Sequence, residues 1–172
     1  MRLFRRPEEK EVCLTLSGSV VATLLSYVQT APEDNEACGV LIGRVSVDGK
    51  VCIEAITEPR PEDQRQRNWF RRSSVHQDVV EELFRESGRK LVYCGEWHTH
   101  PEPVPSPSET DLAAWSLKLE GGTCVINPFF IIVGTKRIRA WEGCQHRLRT
   151  WRLLDVTLCS DRSGKETPCV EY

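Results

Sequence analysis

Residues 95–111 read GEWHTHPEPVPSPSETD, a stretch that holds two histidines, a serine and an aspartate close together in the chain. The apolar residues 91–94 before it predict a strand that runs into His98 and His100. Residues two apart in a strand project to the same face of the sheet, so both imidazoles should emerge side by side. The strand therefore presents two nitrogen donors from a single face.

A helix should begin in the second half of this stretch. Ser106 has the chemistry of an N-cap, Pro107 that of the first helical position and Glu109 that of the third. Ser108 and Asp111 are three residues apart and should share a face of that helix. Two neutral imidazoles and one carboxylate suit zinc, and they leave a fourth position open for water, as catalytic zinc sites do.

Each half of this pattern also has an ordinary structural explanation. A His-x-His pair is common on protein surfaces, and a serine followed by acidic residues is what a helix N-terminus uses to satisfy its free amides. The two halves together, in this order and at this spacing, are far less common. Their conjunction favours a metal site over two unrelated structural features.

The spacing resembles the signature of the JAMM (MPN+) metalloproteases, which is His-x-His, seven residues, then Ser-x-x-Asp. His98, His100, Ser108 and Asp111 stand at those positions. That family also carries an upstream glutamate within Glu-x-Cys-Gly-x-Leu-x-Gly, and residues 36–43 read EACGVLIG. Every position of the pattern is kept.

The resemblance covers roughly residues 20–143 and implies an α/β fold, namely a single JAMM/MPN-like (cytidine-deaminase-like) domain with a mixed sheet flanked by helices. We assign residues 1–158 to this domain and residues 159–172 to a polar C-terminal tail.

The resemblance also implies roles for the matching residues. One Zn2+ per chain would be held by His98, His100 and Asp111. Glu36 would be the general base that takes a proton from the attacking water and returns it to the departing amine. The Ser108 hydroxyl would help to stabilise the tetrahedral oxyanion.

Local chemistry alone does not single out Glu36. By composition it is an exposed carboxylate at a strand edge, like its neighbours Glu33 and Asp34. Only the resemblance selects it, because only Glu36 stands two residues before a Cys-Gly pair. A thiol nucleophile is not required, so Cys38 and Cys94 are expected to be structural.

The amino-acid sequence of residues 95–101 and of the proline-rich turn after them most resembles that of the bacterial JAMM isopeptidases, which are encoded in CBASS anti-phage operons beside a cGAS-like nucleotidyltransferase. This closer resemblance implies an isopeptidase that cuts after the C-terminal residue of a protein modifier, with the nucleotidyltransferase itself as the conjugated modifier. The alternatives are a protease that processes or deconjugates a bacterial ubiquitin-like protein, a non-catalytic MPN scaffold, and a small-molecule zinc hydrolase.

Residues 58–72 turn hydrophilic and predict a solvated loop. Related JAMM isopeptidases carry an insertion at this place that contacts the tail of the modifier. The resemblance therefore makes a set of cationic and aromatic side chains in this loop candidates for substrate binding: Arg65, Arg67, Trp69, Phe70 and Arg71. On composition alone, a solvated charged loop explains them equally well.

Composition narrows the setting of the protein. A length of 172 residues suits one domain with a sizeable core. A net charge of −2 argues against nucleic acid or a membrane surface as the main partner, and favours a protein or a small molecule. The eight cysteines are scattered without a Cys-x-x-Cys pair, and the start of the sequence lacks an export signal. We therefore expect reduced thiols and a cytoplasmic bacterial protein.

Hydrophobic periodicity predicts the remaining elements. The helices are expected within residues 20–28, 75–84 and from Pro107, after the Ser106 cap, to a stop at Gly121-Gly122. The strands are expected at residues 12–16, 36–44, 51–56, 123–126, 129–133, 137–141 and 148–156, with a tight Asp48-Gly49 turn between the second and third. The strand at 129–133 is apolar throughout, which favours a central position in the sheet.

Overall fold

The computed structural model describes residues 14–120, 127–144, 150–154 and 157–158. Within these described residues, three helices and ten strands follow one another: β1 Leu14–Leu16, α1 Gly18–Ser26, β2 Cys38–Val45, β3 Val51–Ile56, β4 Gln64–Gln66, β5 Trp69–Arg71, α2 Val75–Glu86, β6 Val92–Thr99, α3 Glu109–Glu120, β7 Phe129–Val133, β8 Ile138–Cys144, β9 Thr150–Leu154 and β10 Thr157–Leu158.

Eight of the strands form one mixed sheet in the order β10-β1-β3-β2-β6-β7-β8-β9. β6 runs parallel to β7, and β1 runs parallel to both β3 and β10, whereas the other neighbours pair antiparallel. The predicted fold class, a single-domain mixed sheet flanked by helices, is confirmed. The apolar strand β7 lies inside the sheet, and all five of its residues are buried.

One face of the sheet packs against α1. Val20, Val21 and Leu24 of that helix join a buried cluster with alternate strand residues such as Leu41 and Trp97. Successive strand residues point to opposite faces, so the residues between them must be covered from the other side. Over the nine residues of α1, the buried side chains Val20, Val21 and Leu24 provide roughly one contact with the sheet per helical turn.

The opposite face packs against α2 and α3. Val80 of α2 packs against Val40 of β2 and its neighbours. Trp115 of α3 stacks on Phe130 of β7 with ring centroids 4.3 Å apart, and it also contacts Trp141. Two helices thus share the face of the sheet from which Glu96 and His98 project, since these residues reach Lys118 and Asp111 of α3.

The turn between β2 and β3 is the tight turn that the sequence predicts. Gly49 has φ 87°, a left-handed conformation that glycine adopts without a steric penalty. Its amide donates to the carbonyl oxygen of Ser46, and the Ser46 amide donates to that of Lys50.

The loop prediction for residues 58–72 is wrong in part. Within it β4 and β5 pair antiparallel as a short hairpin, which we call the insertion hairpin, with Arg65 opposite Phe70. Composition does not reveal this strand pair, because β4 is polar throughout, both strands bury little and their side chains look solvated.

Other expectations lie at the limits of the described residues. The predicted strand 123–126 and the tail 159–172 fall outside them, so the domain boundary at residue 158 stays a prediction. The predicted strand 148–156 is represented by β9, and β10 begins at Thr157. Across the described part of the chain, none of the helices combines the length and apolarity needed to cross a bilayer.

Candidate active site

The two histidines lie where β6 ends. His98 and His100 are buried, and their Nε2 atoms are 3.1 Å apart. Thr99 between them points to the opposite face, where its hydroxyl oxygen accepts from the amide of Ala37 at 2.9 Å. Strand alternation therefore brings the two imidazoles together, as the sequence predicts.

Ser108 and Asp111 form the N-terminus of α3. The Ser108 amide and hydroxyl both donate to Asp111 Oδ2, at 2.8 and 2.6 Å, and the Asp111 amide donates to Ser108 Oγ at 3.1 Å. This is a reciprocal capping arrangement with Ser108 as the N-cap. The predicted cap at Ser106 with Pro107 as the first helical residue is wrong by two positions, because the Ser106 amide is held by the Glu102 carboxylate instead.

The N-terminus of α3 and the end of β6 lie next to each other. His98 Nε2 is 3.3 Å from Asp111 Oδ1, and His100 Nε2 is 3.4 Å from Asp111 Oδ2. In a tetrahedral zinc site with ligands at 2.0–2.1 Å, neighbouring donor atoms are about 3.3 Å apart. Among the described residues these three side chains are a group that could hold a metal ion, and both their donor types and their spacing fit zinc.

The electrostatics of the group suit a cation. Burial opposes the charge on Asp111, yet hydrogen bonds from His100, His98 and Ser108 hold its pKa well below the usual value. Burial lowers the pKa of His98, which favours the neutral imidazole that binds metal. At His100, burial has the same tendency, but Asp111 outweighs it and raises the pKa. A carboxylate anion thus stands beside two ring nitrogens.

Glu36 lies beside this group, two residues before β2. Its side chain is buried, with 4% of the residue exposed, and its Oε1 is 3.8 Å from His100 Nε2. Burial, against the opposing effect of His100, raises the pKa of Glu36 to about 8. Glu36 is thus unlike its exposed neighbour Glu33.

Gly39 explains how this part of the chain fits so closely on the sheet. A Cβ at residue 39 would overlap the carbonyl oxygen of Thr57 and the indole nitrogen of Trp97. These two atoms are hydrogen-bonded to each other at 3.0 Å across the Gly39 backbone. The glycine of the Glu-x-Cys-Gly motif therefore permits a close approach that leaves Glu36 next to the histidines.

An open pocket of about 440 Å³ surrounds the site and contains Glu36, the two histidines, Ser108 and Asp111. The β5 side of the insertion hairpin forms one wall of it, with Trp69, Phe70 and Arg71 among the lining residues. The Phe70 ring lies 5.2 Å from the His98 ring, and Trp69 is 40% exposed. These three candidates for substrate binding are therefore placed at the site.

The other two candidates are placed elsewhere. Arg67 donates to the carbonyl oxygens of Ala31 and Pro32, at 2.7 and 2.9 Å, and Arg65 donates to that of Glu36 at 3.4 Å. Neither arginine lines the pocket. Their contacts hold the chain that leads into Glu36, and a contact of either arginine with substrate stays a prediction.

The sequence reasoning missed a charged group in the same pocket. Glu96 is buried between Arg72 and Lys118, with Lys118 Nζ 2.6 Å from Glu96 Oε1, and Arg72 also donates to the Gly39 carbonyl at 2.9 Å. Burial opposes the charge on Glu96, but the two cations hold its pKa below the usual value. Strand alternation from His98 was the available signal, since Glu96 must share its face.

The cysteines among the described residues do not line the pocket. Cys38 and Cys94 are buried, and Cys52 is partly buried. Burial raises the pKa of Cys38 to about 12, so its thiolate is scarce at neutral pH.

Comparison with known proteins gives the class that this fold and site indicate. Residues 19–153 match the family described as prokaryotic homologs of the JAB domain, and the chain belongs to that family.

The similarity extends to particular relatives. The chain is 39% identical over 132 residues to a CD-NTase/cGAS isopeptidase of Escherichia coli (strain TW11681), covering 76% of this chain and 80% of the relative. It is 38% identical over 141 residues to one of Vibrio cholerae serotype O1, covering 81% and 86%. Both the resemblance to the JAMM proteases and the closer one to these isopeptidases are confirmed.

A solution structure of a Desulfitobacterium hafniense protein shares the fold, with a TM-score of 0.63 and 20% sequence identity. The match covers 86% of this chain and 94% of that one, and at this identity it bears on the fold alone.

Proposed function

We propose that this protein is a zinc-dependent isopeptidase that cleaves after the C-terminal residue of a conjugated protein modifier. The observation that supports this best is the meeting of Glu36 with His98, His100 and Asp111 in one open pocket. A buried carboxylate beside a three-ligand group with the spacing of a zinc site is the arrangement required for metal-assisted hydrolysis of an amide.

The metal would be held by His98 Nε2, His100 Nε2 and the Asp111 carboxylate. A zinc ion in such a site supplies Lewis acidity, which makes water nucleophilic near neutral pH and polarises the scissile carbonyl. Asp111 is already fixed by Ser108, and β6 fixes the two rings, so little side-chain freedom is lost when the group closes on a cation.

Glu36 acts as the proton carrier. It accepts a proton from the attacking water as the new C–O bond forms, and it returns that proton to the nitrogen of the departing amine as the C–N bond breaks. Its carboxylate lies in the pocket, 3.8 Å from His100 Nε2, and is not one of the three candidate metal ligands. The proton removed from the water is therefore the one given to the amine, and Glu36 alone carries it.

Ser108 has two tasks in this proposal. In the resting site its hydroxyl hydrogen is committed to Asp111 Oδ2. To stabilise the tetrahedral oxyanion, the hydroxyl must turn this hydrogen toward the substrate oxygen during the reaction. The Ser108 amide still holds Asp111 when the hydroxyl turns away.

The modifier's tail would lie along the insertion hairpin. Within the described residues β5 pairs only with β4, so its outer backbone edge is open to an extended peptide. Pairing with an open edge binds any main chain, and Trp69, Phe70 and Arg71 would add selectivity for particular side chains.

We further propose that the modifier is a cGAS-like nucleotidyltransferase, joined through its C-terminal carboxyl to a target amine in CBASS anti-phage defence. The relatives named CD-NTase/cGAS isopeptidase support this choice, since the similarity runs over 76–81% of this chain. The enzyme would act in the bacterial cytoplasm and reverse the conjugation.

The test is a fusion of a cGAS-like nucleotidyltransferase, through its C-terminus, to a reporter protein. We expect release of the reporter at the junction. The double variant Trp69→Ala plus Arg71→Ala should cleave at least about tenfold more slowly with an unchanged zinc content, since hot-spot side chains contribute upward of 1.4 kcal/mol each. The matched control is Val47→Ala plus Arg85→Ala, two exposed residues that do not line the pocket.

An intact fusion together with efficient cleavage of a ubiquitin-like fusion would move the assignment to a ubiquitin-like processing protease. A protein that binds no zinc and cleaves neither fusion would instead be a scaffold. Turnover of a short amide at the same efficiency as the fusions would indicate a small-molecule hydrolase.

A further inference from the structure

We propose that Gln29 is a positioning residue for Glu36, and that its carboxamide joins the segment carrying this base to both β6 and the insertion hairpin. The inference deepens the proposed function and rests on it, because it takes Glu36 as the proton carrier. Gln29 follows α1, more than sixty residues from the histidines in sequence, and belongs to no motif.

Gln29 is a buried polar residue with every amide hydrogen in use. Only 2% of it is exposed. Its Nε2 donates to the carbonyl oxygens of Asp34 and Arg67, at 3.0 and 2.8 Å, and its Oε1 accepts from the Thr99 hydroxyl at 2.9 Å. The contacts reach three separate parts of the chain.

The contact with Thr99 continues to the base. Thr99 Oγ1 accepts from the Ala37 amide at 2.9 Å, and the Thr99 amide donates to the Ala37 carbonyl at 3.0 Å. Thr99 stands between the two histidines, and Ala37 is bonded to Glu36 through the chain. A short series of hydrogen bonds therefore sets where Glu36 lies relative to the strand that carries the metal ligands.

A second route from Gln29 to Glu36 runs through Arg67 and the insertion hairpin. The Glu36 amide donates to the Gln66 carbonyl at 2.8 Å, in the insertion hairpin. The Arg67 guanidinium holds the carbonyls of Ala31 and Pro32. Residues 31–37 thus lie between the hairpin and β6, and Gln29 bonds to the hairpin, to this segment and to β6.

Only a carboxamide supplies both the hydrogen-bond donors and the acceptor that the neighbours of residue 29 require. Two carbonyl oxygens require two N–H donors, and one hydroxyl hydrogen requires an acceptor. A glutamate would set a carboxylate against the Asp34 and Arg67 carbonyls, and an apolar side chain would leave both without the Gln29 donor in a buried region. The orientation of the amide follows, since the reversed amide would face oxygen with oxygen.

The expected consequence is catalytic. Displacement of a reacting group by about 1 Å can lower a rate about 100-fold, even when the cause is remote from the chemistry. Loss of the Gln29 bonds frees the segment before Ala37 while His98, His100 and Asp111 keep their mutual contacts. The effect should therefore fall on turnover and leave the metal in place.

The test compares Gln29→Met, which keeps side-chain length and removes the polar atoms, with the wild type on a cleavable fusion. We expect a decrease in kcat of about 10- to 100-fold with KM and zinc content unchanged. Thr99→Val should act in the same direction, and Thr99→Ser should retain wild-type turnover because it keeps the hydroxyl. Gln77→Met is the matched control, since Gln77 is exposed on α2 and bonds to Glu81.

A second measurement needs no substrate. Amide hydrogen exchange of the zinc-loaded protein should be faster at Ala37 in Gln29→Met than in the wild type, with α2 unchanged. If the wild type cleaves no fusion, the proposed function fails, and this measurement still decides the positioning. Unchanged kcat, unchanged protection of Ala37, or loss of zinc in proportion to activity would each overturn the inference. If Gln29→Met does not fold, the Thr99→Val and Thr99→Ser pair gives the same decision.

Discussion

Burial separates Glu36 from the other acidic residues of its segment. A carboxylate that is 4% exposed, beside one imidazole and facing an open pocket, has a poor solvation shell and a raised pKa. Such a group both accepts and releases a proton readily, which is what a proton carrier in amide hydrolysis needs. At the scale of single residues, environment rather than residue type distinguishes Glu36 as the candidate base.

The first prediction is therefore made for Glu36→Gln. The amide keeps the size of the side chain and removes its basicity, so kcat should fall about 100- to 10,000-fold while zinc content and fold are retained. Elemental analysis, circular dichroism and fusion cleavage check this. Glu33→Gln, at an exposed position of the same segment, should cleave like the wild type. Loss of zinc in Glu36→Gln would place this residue among the ligands and contradict the assignment.

The insertion hairpin forms one wall of the pocket at the candidate site, and a single carboxylate lies at its base. Asp63, just before β4, accepts from the amides of Arg60 and Ser73 and from His76 Nε2. His76 in turn contacts the Thr57 hydroxyl at 2.6 Å. The carboxylate therefore bridges both ends of the hairpin to the start of α2.

The second prediction concerns the pH dependence of this closure. Burial opposes the charge on Asp63, yet its hydrogen bonds lower the pKa from 3.8 to about 2. A depressed pKa adds stability that is present above pH 4 and is lost as pH falls through about 2, in total about 2 kcal/mol. Asp63→Asn should therefore be less stable than the wild type at pH 6, and the difference should shrink toward pH 3.

Urea unfolding of chelator-treated protein measures this difference without a contribution from metal release. Asp78→Asn is the control at an exposed position in the first turn of α2. A stability difference between wild type and Asp63→Asn that stays constant from pH 6 to pH 3 would contradict the role of the Asp63 charge.

At the scale of the whole molecule, the three candidate metal ligands connect the sheet to α3. His98 lies in β6, His100 directly follows it and Asp111 lies in the first turn of α3. A bound ion would therefore cross-link the sheet and α3, which also meet through the stacking of Trp115 on Phe130 and the ion pair of Lys118 with Glu96. A ligand that binds only the folded chain stabilises it by mass action.

The third prediction follows from this linkage. The purified protein should bind about one zinc per chain, and free zinc at about 100 times Kd should add about 2.7 kcal/mol to the free energy of unfolding. For a domain of this size that is roughly 5–10 °C in Tm. Asp111→Asn keeps an oxygen for the α3 cap but loses the anionic ligand, so its zinc-dependent shift should be much smaller.

Differential scanning calorimetry with and without chelator checks the shift, and Glu109→Gln is the control in the same helical turn. A wild-type protein whose Tm does not respond to zinc, and which cleaves its fusion after chelation, would exclude the metal mechanism.

Local regularities account for what could be predicted before the fold was known. Strand alternation over two residues pairs His98 with His100, and helical spacing over three residues pairs Ser108 with Asp111. Hydrophobic period locates α1, α2, β2, β3 and β7, because burial of one face repeats along the element itself. The family resemblance rests on two sequence motifs, residues 36–43 and residues 98–111, and it is the first of these that identifies Glu36.

Contacts between distant parts of the chain account for the rest. Gln29 and Thr99 are 70 residues apart, and Arg72 and Glu96 are 24 apart, so no local period relates them. The insertion hairpin, the burial of Glu36 and the placement of Arg67 away from the pocket all depend on which surfaces the packed sheet brings together. A buried hydrogen bond is set by position in space, and position in space is a property of the assembled fold.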